Sequence, residues 1–221
     1  MSPRTRLITA TATAVLLTIC AASAQQWPIS RPPSALASRP VDFPPYEIKT
    51  LPNGLKVLVV LHHEQPSVSF RLILGAGTLQ EPADKPGVAN FMSGLLNQGT
   101  RTKSAGQLAD AIESAGGIIG VGSGNELAFI SGAVIKDQTD LMLSLASEMA
   151  QYPAFAQQEI DRRKSQTLSS LDVSYDDPDY LASLVFDRLV FGFHPYGRPT
   201  EGTRESISKL TREDLVAYHR N

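Results

Sequence analysis

The sequence contains one cysteine, Cys20, and this residue falls within the N-terminal segment MSPRTRLITATATAVLLTICAASAQQ. Basic residues at the start, an apolar run after Arg6 and small residues ending at Ala24 predict a bacterial signal peptide over residues 1–24. The protein is therefore expected to be exported to the periplasm. The mature chain would contain no cysteine, which excludes disulfides and thiolate zinc sites even in a compartment that permits disulfides.

The chain also lacks a long apolar run and an excess of positive charge. The run after Arg6 is short and rich in threonine and alanine, so no membrane span is predicted in the mature chain; an uncleaved anchor is the alternative. Removal of Arg4 and Arg6 from 20 basic residues leaves 18 against 22 acidic ones, a net charge of −4. Such a chain has little to attract nucleic acid or an anionic membrane, and neither is expected as a partner.

Residues 25–44, QQWPISRPPSALASRPVDFP, have no apolar period and predict a Pro/Ser-rich linker. The remaining residues, 45–221, are enough for one domain with a single core. YEIKTLPNGLKVLVVLHH predicts two strands joined at Asn53-Gly54, a dipeptide that tolerates the positive φ of a tight turn. SVSFRLILGAGT predicts a third strand of the same sheet.

The pattern then changes from a period of two to a period near 3.6. GVANFMSGLLNQGT and SAGQLADAIESAGG predict two helices, the second with Ser104 as its N-cap. GIIGVGSG and ELAFISGAVI predict two more strands, and a long helical stretch follows, in which Asp177 caps a helix that begins at Pro178. A last helix begins at Thr211. This order predicts an α+β fold in which a mostly antiparallel sheet packs against several helices.

Several landmarks in this order resemble the N-terminal half-domain of the pitrilysin, or insulinase, type of zinc peptidase. They are LPNGLKVLVV, SVSFRLILGAGTLQEPADKPGVANFM, LLNQGT and the segment DDPDYLASLVFDRLVFGFHPYGRPTEGTRESISKLTREDLVAYH. The similarity runs from about Tyr46 to the end of the chain. It implies a pitrilysin-type half-domain over residues 45–221 that is incomplete at its C-terminus, because relatives continue into another strand and a second domain.

Catalytic members of that family carry His-x-x-Glu-His in the helix before the Gly-Thr, where the histidines and a later glutamate hold zinc and the motif glutamate activates water. The resemblance places these four groups at Asn90, Ser93, Gly94 and near Ser170. An amide is a poor zinc ligand, glycine has no side chain and a serine hydroxyl is no general base at neutral pH. The resemblance therefore implies a non-catalytic homologue with a degenerate motif, no bound metal and no cofactor.

The four histidines do not form an evident replacement site. His62 and His63 are neighbours on a predicted strand end and point to opposite faces, so they are expected in an exposed turn. His194 lies in FGFHPYGRP, which resembles a structural turn of the family. His219 lies near the end of the chain and is expected to be exposed.

An acidic cluster, LDVSYDDPDY, invites a calcium interpretation because Asp172, Ser174 and Asp176 alternate. An EF-hand loop needs glycine at its sixth position and glutamate at its twelfth, where this chain has Asp177 and Ser183. Helix capping is the better explanation of Asp177.

The strand over Ile119, Gly120 and Val121 corresponds to one that borders the cleft and pairs with extended substrate in active relatives. Glycines at 120, 122 and 124 alternate, so they leave one face of the strand nearly bare and permit close approach of another backbone. Two interpretations stay open: a site that accepts an extended peptide by strand addition, or an ordinary edge strand loosened by glycine.

Three functions follow from the resemblance and the degenerate motif. The leading hypothesis is a partner subunit that shapes a peptide-binding chamber for a zinc-bearing pitrilysin-type subunit. The alternatives are a stand-alone peptide-binding or scaffolding module, and a truncated fragment of a longer pitrilysin-family protein. A truncated fragment with an unpaired apolar sheet edge would be prone to aggregate.

Overall fold

The computed structural model describes residues 43–220. The predicted signal peptide and nearly all of the predicted linker lie outside these residues. The described chain divides after Leu61 into two compact units, each of which is described by itself. Among the described residues, no helix combines the length and the apolar character needed to cross a membrane.

The first unit contains a hairpin of β1 (Tyr46–Thr50) and β2 (Lys56–Val60), paired antiparallel along their whole length. The turn forms as predicted, because Gly54 takes a φ of 85° and the side chain of Asn53 accepts a 3.1 Å hydrogen bond from the Leu55 N–H. The sequence placed β1, β2 and the next strand in one sheet, and this prediction was wrong. The hairpin forms its own two-stranded sheet.

The second unit contains a three-stranded sheet of β3 (Ser67–Leu74), β4 (Ile118–Ser123) and β5 (Ala128–Ile135), in the order β3-β5-β4. Both pairings are antiparallel, and β3 is matched along its whole length by β5. In the described chain, β4 pairs only with β5 and therefore presents one free edge.

The described residues also contain seven helices, and side-chain caps fix the start of several of them. They are α1 (Val88–Ser93), α2 (Ala105–Ser114), α3 (Thr139–Gln151), α4 (Gln157–Tyr175), α5 (Pro178–Phe191), α6 (Arg204–Lys209) and α7 (Arg212–Arg220). The predicted N-cap at Ser104 is confirmed, because its hydroxyl accepts from the Gln107 N–H at 3.3 Å while the Gln107 side chain accepts from the Ser104 N–H at 2.9 Å. Asp177 caps α5 by accepting from the Asp179 N–H at 2.9 Å.

One core joins the sheet to α1, α2, α3, α4, α6 and α7. Its fully buried members include Phe91, Leu108, Ile130, Met142 and Leu215, one from each of five elements. Burial of a side chain of this size is worth roughly 1.5–3 kcal/mol, so the core holds α1 between the sheet and α7. The predicted α+β class, with an antiparallel sheet packed against helices, is confirmed.

The fifth helix, α5, differs from the others because none of its residues is buried. Its exposed apolar side chains are Leu181, Val185, Phe186, Leu189, Val190 and Phe191, and Phe193 follows directly after the helix. Leu189 is 79% exposed and Phe193 is 86% exposed. The exposed apolar side chains of α5 therefore form a candidate contact surface.

Candidate functional site

A buried carboxyl group fixes the start of α1, the helix that carries the degenerate motif. Glu81 accepts from the Gly87 N–H at 3.0 and 3.1 Å and from the Ala89 N–H at 2.8 Å. Burial raises the pKa of Glu81 to about 7, although the bonds from Ala89 and Gly87 and the charge of Arg198 each lower it. These bonds satisfy amide groups at the helix start that have no partner within the helix.

The predicted site residues on α1 are engaged with one another. The Ser93 hydroxyl is buried and donates a 3.0 Å hydrogen bond to the backbone carbonyl of Asn90. The Gly94 N–H donates to the same carbonyl at 3.1 Å. Ser93 is therefore bonded back into its own helix, and this bond occupies its hydroxyl proton.

A residue that the sequence interpretation did not identify, Arg163 of α4, completes this group. Its Nε donates to the Phe91 carbonyl at 3.1 Å, and its Nη2 donates to Asn90 at both the carbonyl (3.1 Å) and Oδ1 (3.3 Å). Its Cζ lies 5.6 Å from the centre of the Phe91 ring. Desolvation, together with the charge of Arg162, lowers the pKa of Arg163.

The guanidinium occupies the space beside Gly94. A Cβ atom built on Gly94 would overlap Cζ, Nη1 and Nη2 of Arg163. The backbone of Gly94 has φ −71° and ψ −4°, which any L-residue adopts, so the neighbouring guanidinium, and not the backbone conformation, opposes a larger residue here.

The fourth predicted position, Ser170, lies on the same helix as Arg163. It is exposed and stands seven residues further along α4, about 10 Å along the helix axis. The structure therefore brings α4 against α1, as the resemblance implies, but the α4 side chain that contacts Asn90 is that of Arg163. Arg163 and Ser170 are seven residues apart and therefore lie on the same face of α4. This spacing could have identified Arg163 from the sequence, and our interpretation missed it.

These residues do not fit a zinc ion. Asn90 offers an amide, Gly94 offers no side chain, and the guanidinium of Arg163 has donors but no acceptor. Zinc sites in proteins use imidazole, thiolate or carboxylate ligands, commonly four in number. Within residues 43–220, no three His, Cys, Asp or Glu side chains are grouped so that they could hold a metal ion.

The two histidines in the C-terminal part of the chain have structural contacts. His194 Nδ1 accepts from the Tyr196 N–H at 3.2 Å and caps a short 3-10 turn, as expected of a structural turn. The expected exposure of His219 was wrong. Its ring is half-buried, lies 2.8 Å from the Ala150 carbonyl and meets Phe155 edge-on at 5.7 Å, because the last turn of α7 packs on the end of α3.

The predicted peptide-binding residues lie on the edge strand β4. Ile119, Gly120 and Val121 are half-buried, and α1 packs against the same strand. A groove of about 330 Å³ opens between α2 and the start of β4, lined by Leu108 and Ile112 of α2 among others and by Ile119. The helix of the degenerate motif therefore packs against the strand that has a free edge.

The expected bare face of β4 is only partly bare. The ring of Phe129, which is paired with Gly122 across the two strands, would lie 2.8 Å from a Cβ at that glycine. At Gly120 the nearest atom to such a Cβ would be Ser131 Oγ, at 3.7 Å. An aromatic ring therefore covers Gly122, while space remains at Gly120 and at Gly124, which follows the strand and has nothing within 4 Å of a built Cβ.

Comparison with known proteins places this geometry in a family. The sequence model of the insulinase family, peptidase family M16, matches residues 56–204. An uncharacterised zinc protease of Mycobacterium leprae is 30% identical over 170 residues, which cover 77% of this chain and 38% of that protein. One from Rickettsia felis is 28% identical over 173 residues, which cover 78% of this chain and 42% of that protein. The chain thus spans about two fifths of the length of these relatives.

Solved structures show the same relationship. An inactive domain of a peptidase M16 from Pseudomonas fluorescens is 31% identical and superimposes with a TM-score of 0.76, covering 79% of this chain and 42% of that chain. The periplasmic protease PqqL from Escherichia coli is 19% identical with a TM-score of 0.70, covering 83% of this chain and 21% of that chain, which supports the fold alone. The resemblance found in the sequence is confirmed, and the chain belongs to the insulinase family, peptidase family M16.

Proposed function

We propose that this chain is a non-catalytic pitrilysin-type homologue that shapes a peptide-binding chamber for a zinc-bearing partner subunit. One observation carries the proposal: the family's frame is present around positions 90, 93, 94 and 170, yet the side chains there and the adjacent Arg163 form no ligand set for zinc. The relatives are named zinc proteases, so zinc chemistry in the assembly would come from another chain.

The relative from Pseudomonas fluorescens supports a non-catalytic role, because that domain is itself named an inactive domain of the family. The proposed organisation is a signal peptide over residues 1–24, a linker over residues 25–44 and the M16 domain from residue 45 onwards. Under this proposal the mature protein acts in the periplasm, because its first 24 residues have the features of a signal peptide.

We assign the peptide contact to β4. Its free edge can hydrogen-bond an extended backbone, and Gly120 leaves room for a second chain to approach closely. The groove beside Ile119 would take one side chain of that peptide. The absence of zinc ligands at α1 would leave a bound peptide uncut until the partner reaches it.

The exposed face of α5 supports the need for a partner. Six large apolar side chains of this helix and Phe193 are exposed, and such a surface is costly in water. The relatives are more than twice as long as the matched segment. We therefore take a second pitrilysin-type domain, which belongs to the same family, as the molecule that covers α5. We therefore place the partner contact on α5.

The experiment is affinity capture of the tagged mature chain from a periplasmic extract of the organism that encodes it, with bound proteins identified by mass spectrometry. The expected result is stoichiometric recovery of a chain that carries His-x-x-Glu-His. If the tagged chain is soluble and monomeric and recovers no such chain, the subunit proposal is contradicted.

A matched pair of variants tests the surface. Leu189→Asp places a charge in the apolar face of α5 and should abolish recovery of the partner, whereas Ser208→Asp, at an exposed position of α6, should leave recovery unchanged. Equal recovery by the two variants would show that α5 is not the contact.

A stand-alone peptide-binding module is the second candidate, favoured by the free edge of β4. It predicts that the isolated chain binds an extended, fluorescently labelled peptide library without any partner. A truncated fragment is the remaining alternative, and recovery of the bait with chaperones alone would favour it.

A further inference from the structure

We propose that Arg163 replaces the metal in this chain: its guanidinium is a permanent internal cation that ties α1 to α4. In zinc-bearing relatives, the resemblance implies that the metal joins the motif helix to a glutamate of the later helix. Here the same two helices are joined by hydrogen bonds from Arg163 to the Phe91 and Asn90 carbonyls and to the Asn90 side chain. The inference rests on the correspondence of residues 90 and 94 with the motif, which the proposed function also uses.

Space is the first argument. The guanidinium fills the volume in which any side chain of residue 94 would begin, so a histidine at 94 and Arg163 in its present place exclude each other. The arginine tip is flexible, but moving it would forfeit its hydrogen bonds to α1. Hydrogen bonds from a charged donor contribute more to the free energy of unfolding than neutral ones do, so their loss would destabilise the folded chain.

Charge is the second argument. Among residues 43–220, Arg163 has no carboxylate within ion-pair distance, and the charged group that acts on it is Arg162, which is also positive. Its hydrogen-bond partners on α1 are neutral oxygens: the Phe91 carbonyl, the Asn90 side chain and the Asn90 carbonyl, which also accepts from the Gly94 N–H and the Ser93 hydroxyl. A divalent cation bound beside this uncompensated guanidinium would be repelled.

By its position and its charge, Arg163 is a fifth departure from the zinc-binding pattern, after residues 90, 93, 94 and 170. Its position also makes Gly94 a consequence of Arg163 and not merely a lost ligand. The four motif residues alone would therefore not recover a good zinc site. Removal of the arginine is needed as well.

The first test needs no metal. Gly94→Ala should lower Tm in the natural chain, because the new methyl group displaces the guanidinium. In an Arg163→Ala background the same substitution should leave Tm unchanged or raise it, since alanine suits the helical backbone at this position. Gly106→Ala on α2, where nothing lies within 4 Å of the new atom, should act alike in both backgrounds. Arg163→Leu supplies a second background if the alanine variant does not fold.

An equal effect of Gly94→Ala with and without Arg163 would overturn the proposal. This outcome is independent of the capture experiment above, which concerns the partner. The coupling between residues 94 and 163 and the recovery of a zinc-bearing subunit can therefore fail separately.

The second test restores the motif. Asn90→His, Ser93→Glu, Gly94→His and Ser170→Glu are introduced together, with Arg163 either kept or changed to alanine, and folding of each variant is verified by circular dichroism. Zinc binding is measured by equilibrium dialysis against zinc sulfate. The variant that keeps Arg163 should bind zinc at least about 10-fold more weakly, the equivalent of one lost charged hydrogen bond.

Arg162→Ala in the restored background is the matched control, because Arg162 is a neighbouring positive residue that bonds to Glu159 and Gln98 instead of to α1. It should not reproduce the gain in zinc affinity. Equal zinc binding by the restored variants with and without Arg163, whether both bind or neither does, contradicts the proposal.

Discussion

Glu81→Gln tests how α1 is anchored, through the pH dependence of stability. Burial raises the pKa of Glu81 from 4.5 to about 7, so the folded state holds this proton more tightly than the unfolded state does. The contribution is fully present below pH 4.5 and is lost as the pH rises through 7. One pKa unit corresponds to about 1.4 kcal/mol, so the natural chain should lose about 3 kcal/mol of unfolding free energy over this range.

Glutamine has the same shape, can still accept from the Gly87 and Ala89 N–H groups through its single oxygen, and has no proton to lose. The Glu81→Gln variant should therefore lack most of this pH-dependent loss. Unfolding free energies would be measured in urea at pH 5, 6, 7 and 8. Glu113→Gln, at an exposed position on α2, is the control and should keep the natural slope. If Glu81→Gln keeps that slope too, the buried carboxyl is not its source.

Three further predictions concern stability and are measured by urea unfolding. Leu215→Ala empties a fully buried position of α7 and should cost about 3 kcal/mol; a cost below about 1 kcal/mol would contradict the assigned core. Ser104→Ala removes the N-cap hydroxyl of α2 and should cost about 1 kcal/mol, whereas an unchanged midpoint would show that the cap is dispensable. Gly106→Ala should stabilise α2 by about 0.5–1 kcal/mol. Gly87→Ala should destabilise the chain by more than that, because Gly87 has φ 90° and a Cβ there would lie 2.6 Å from Gly202. A change of the same sign in both variants would refute this reasoning.

Features that depend on a few neighbouring residues were predictable from the sequence. The turn at Asn53-Gly54 and the caps at Ser104 and Asp177 use side chains within three positions of the backbone groups they satisfy. The five strands and the helices have periodic apolar faces that identify them. The order of these elements predicted the α+β class, and the resemblance added the pitrilysin-type half-domain.

Features that join distant parts of the chain were not predictable in this way. Arg163 meets Asn90 across 73 residues, and nothing near Gly94 in the sequence indicates that an arginine tip fills its space. The pairing of β3 with β5, in place of the preceding hairpin, likewise depends on which strands meet in three dimensions. Glu81 was missed for the same reason, because its burial follows from tertiary packing and not from its neighbours.

The apolar residues of α5 give a further case. Among them, Val185, Phe186 and Leu189 have the spacing of an apolar helix face. In the structure they are exposed. An apolar pattern indicates that a helix face will be buried by packing. It does not show whether the residues that pack on it belong to the same domain.

The most direct test of the central claim is hydrolysis of a mixed peptide library by the purified mature chain, with added zinc sulfate and with a chelator, followed by mass spectrometry. The account predicts no cleavage that depends on zinc, because residues 90, 93, 94 and 170 and the adjacent Arg163 provide neither metal ligands nor a general base. Zinc-dependent cleavage by the isolated chain that the chelator abolishes would contradict it.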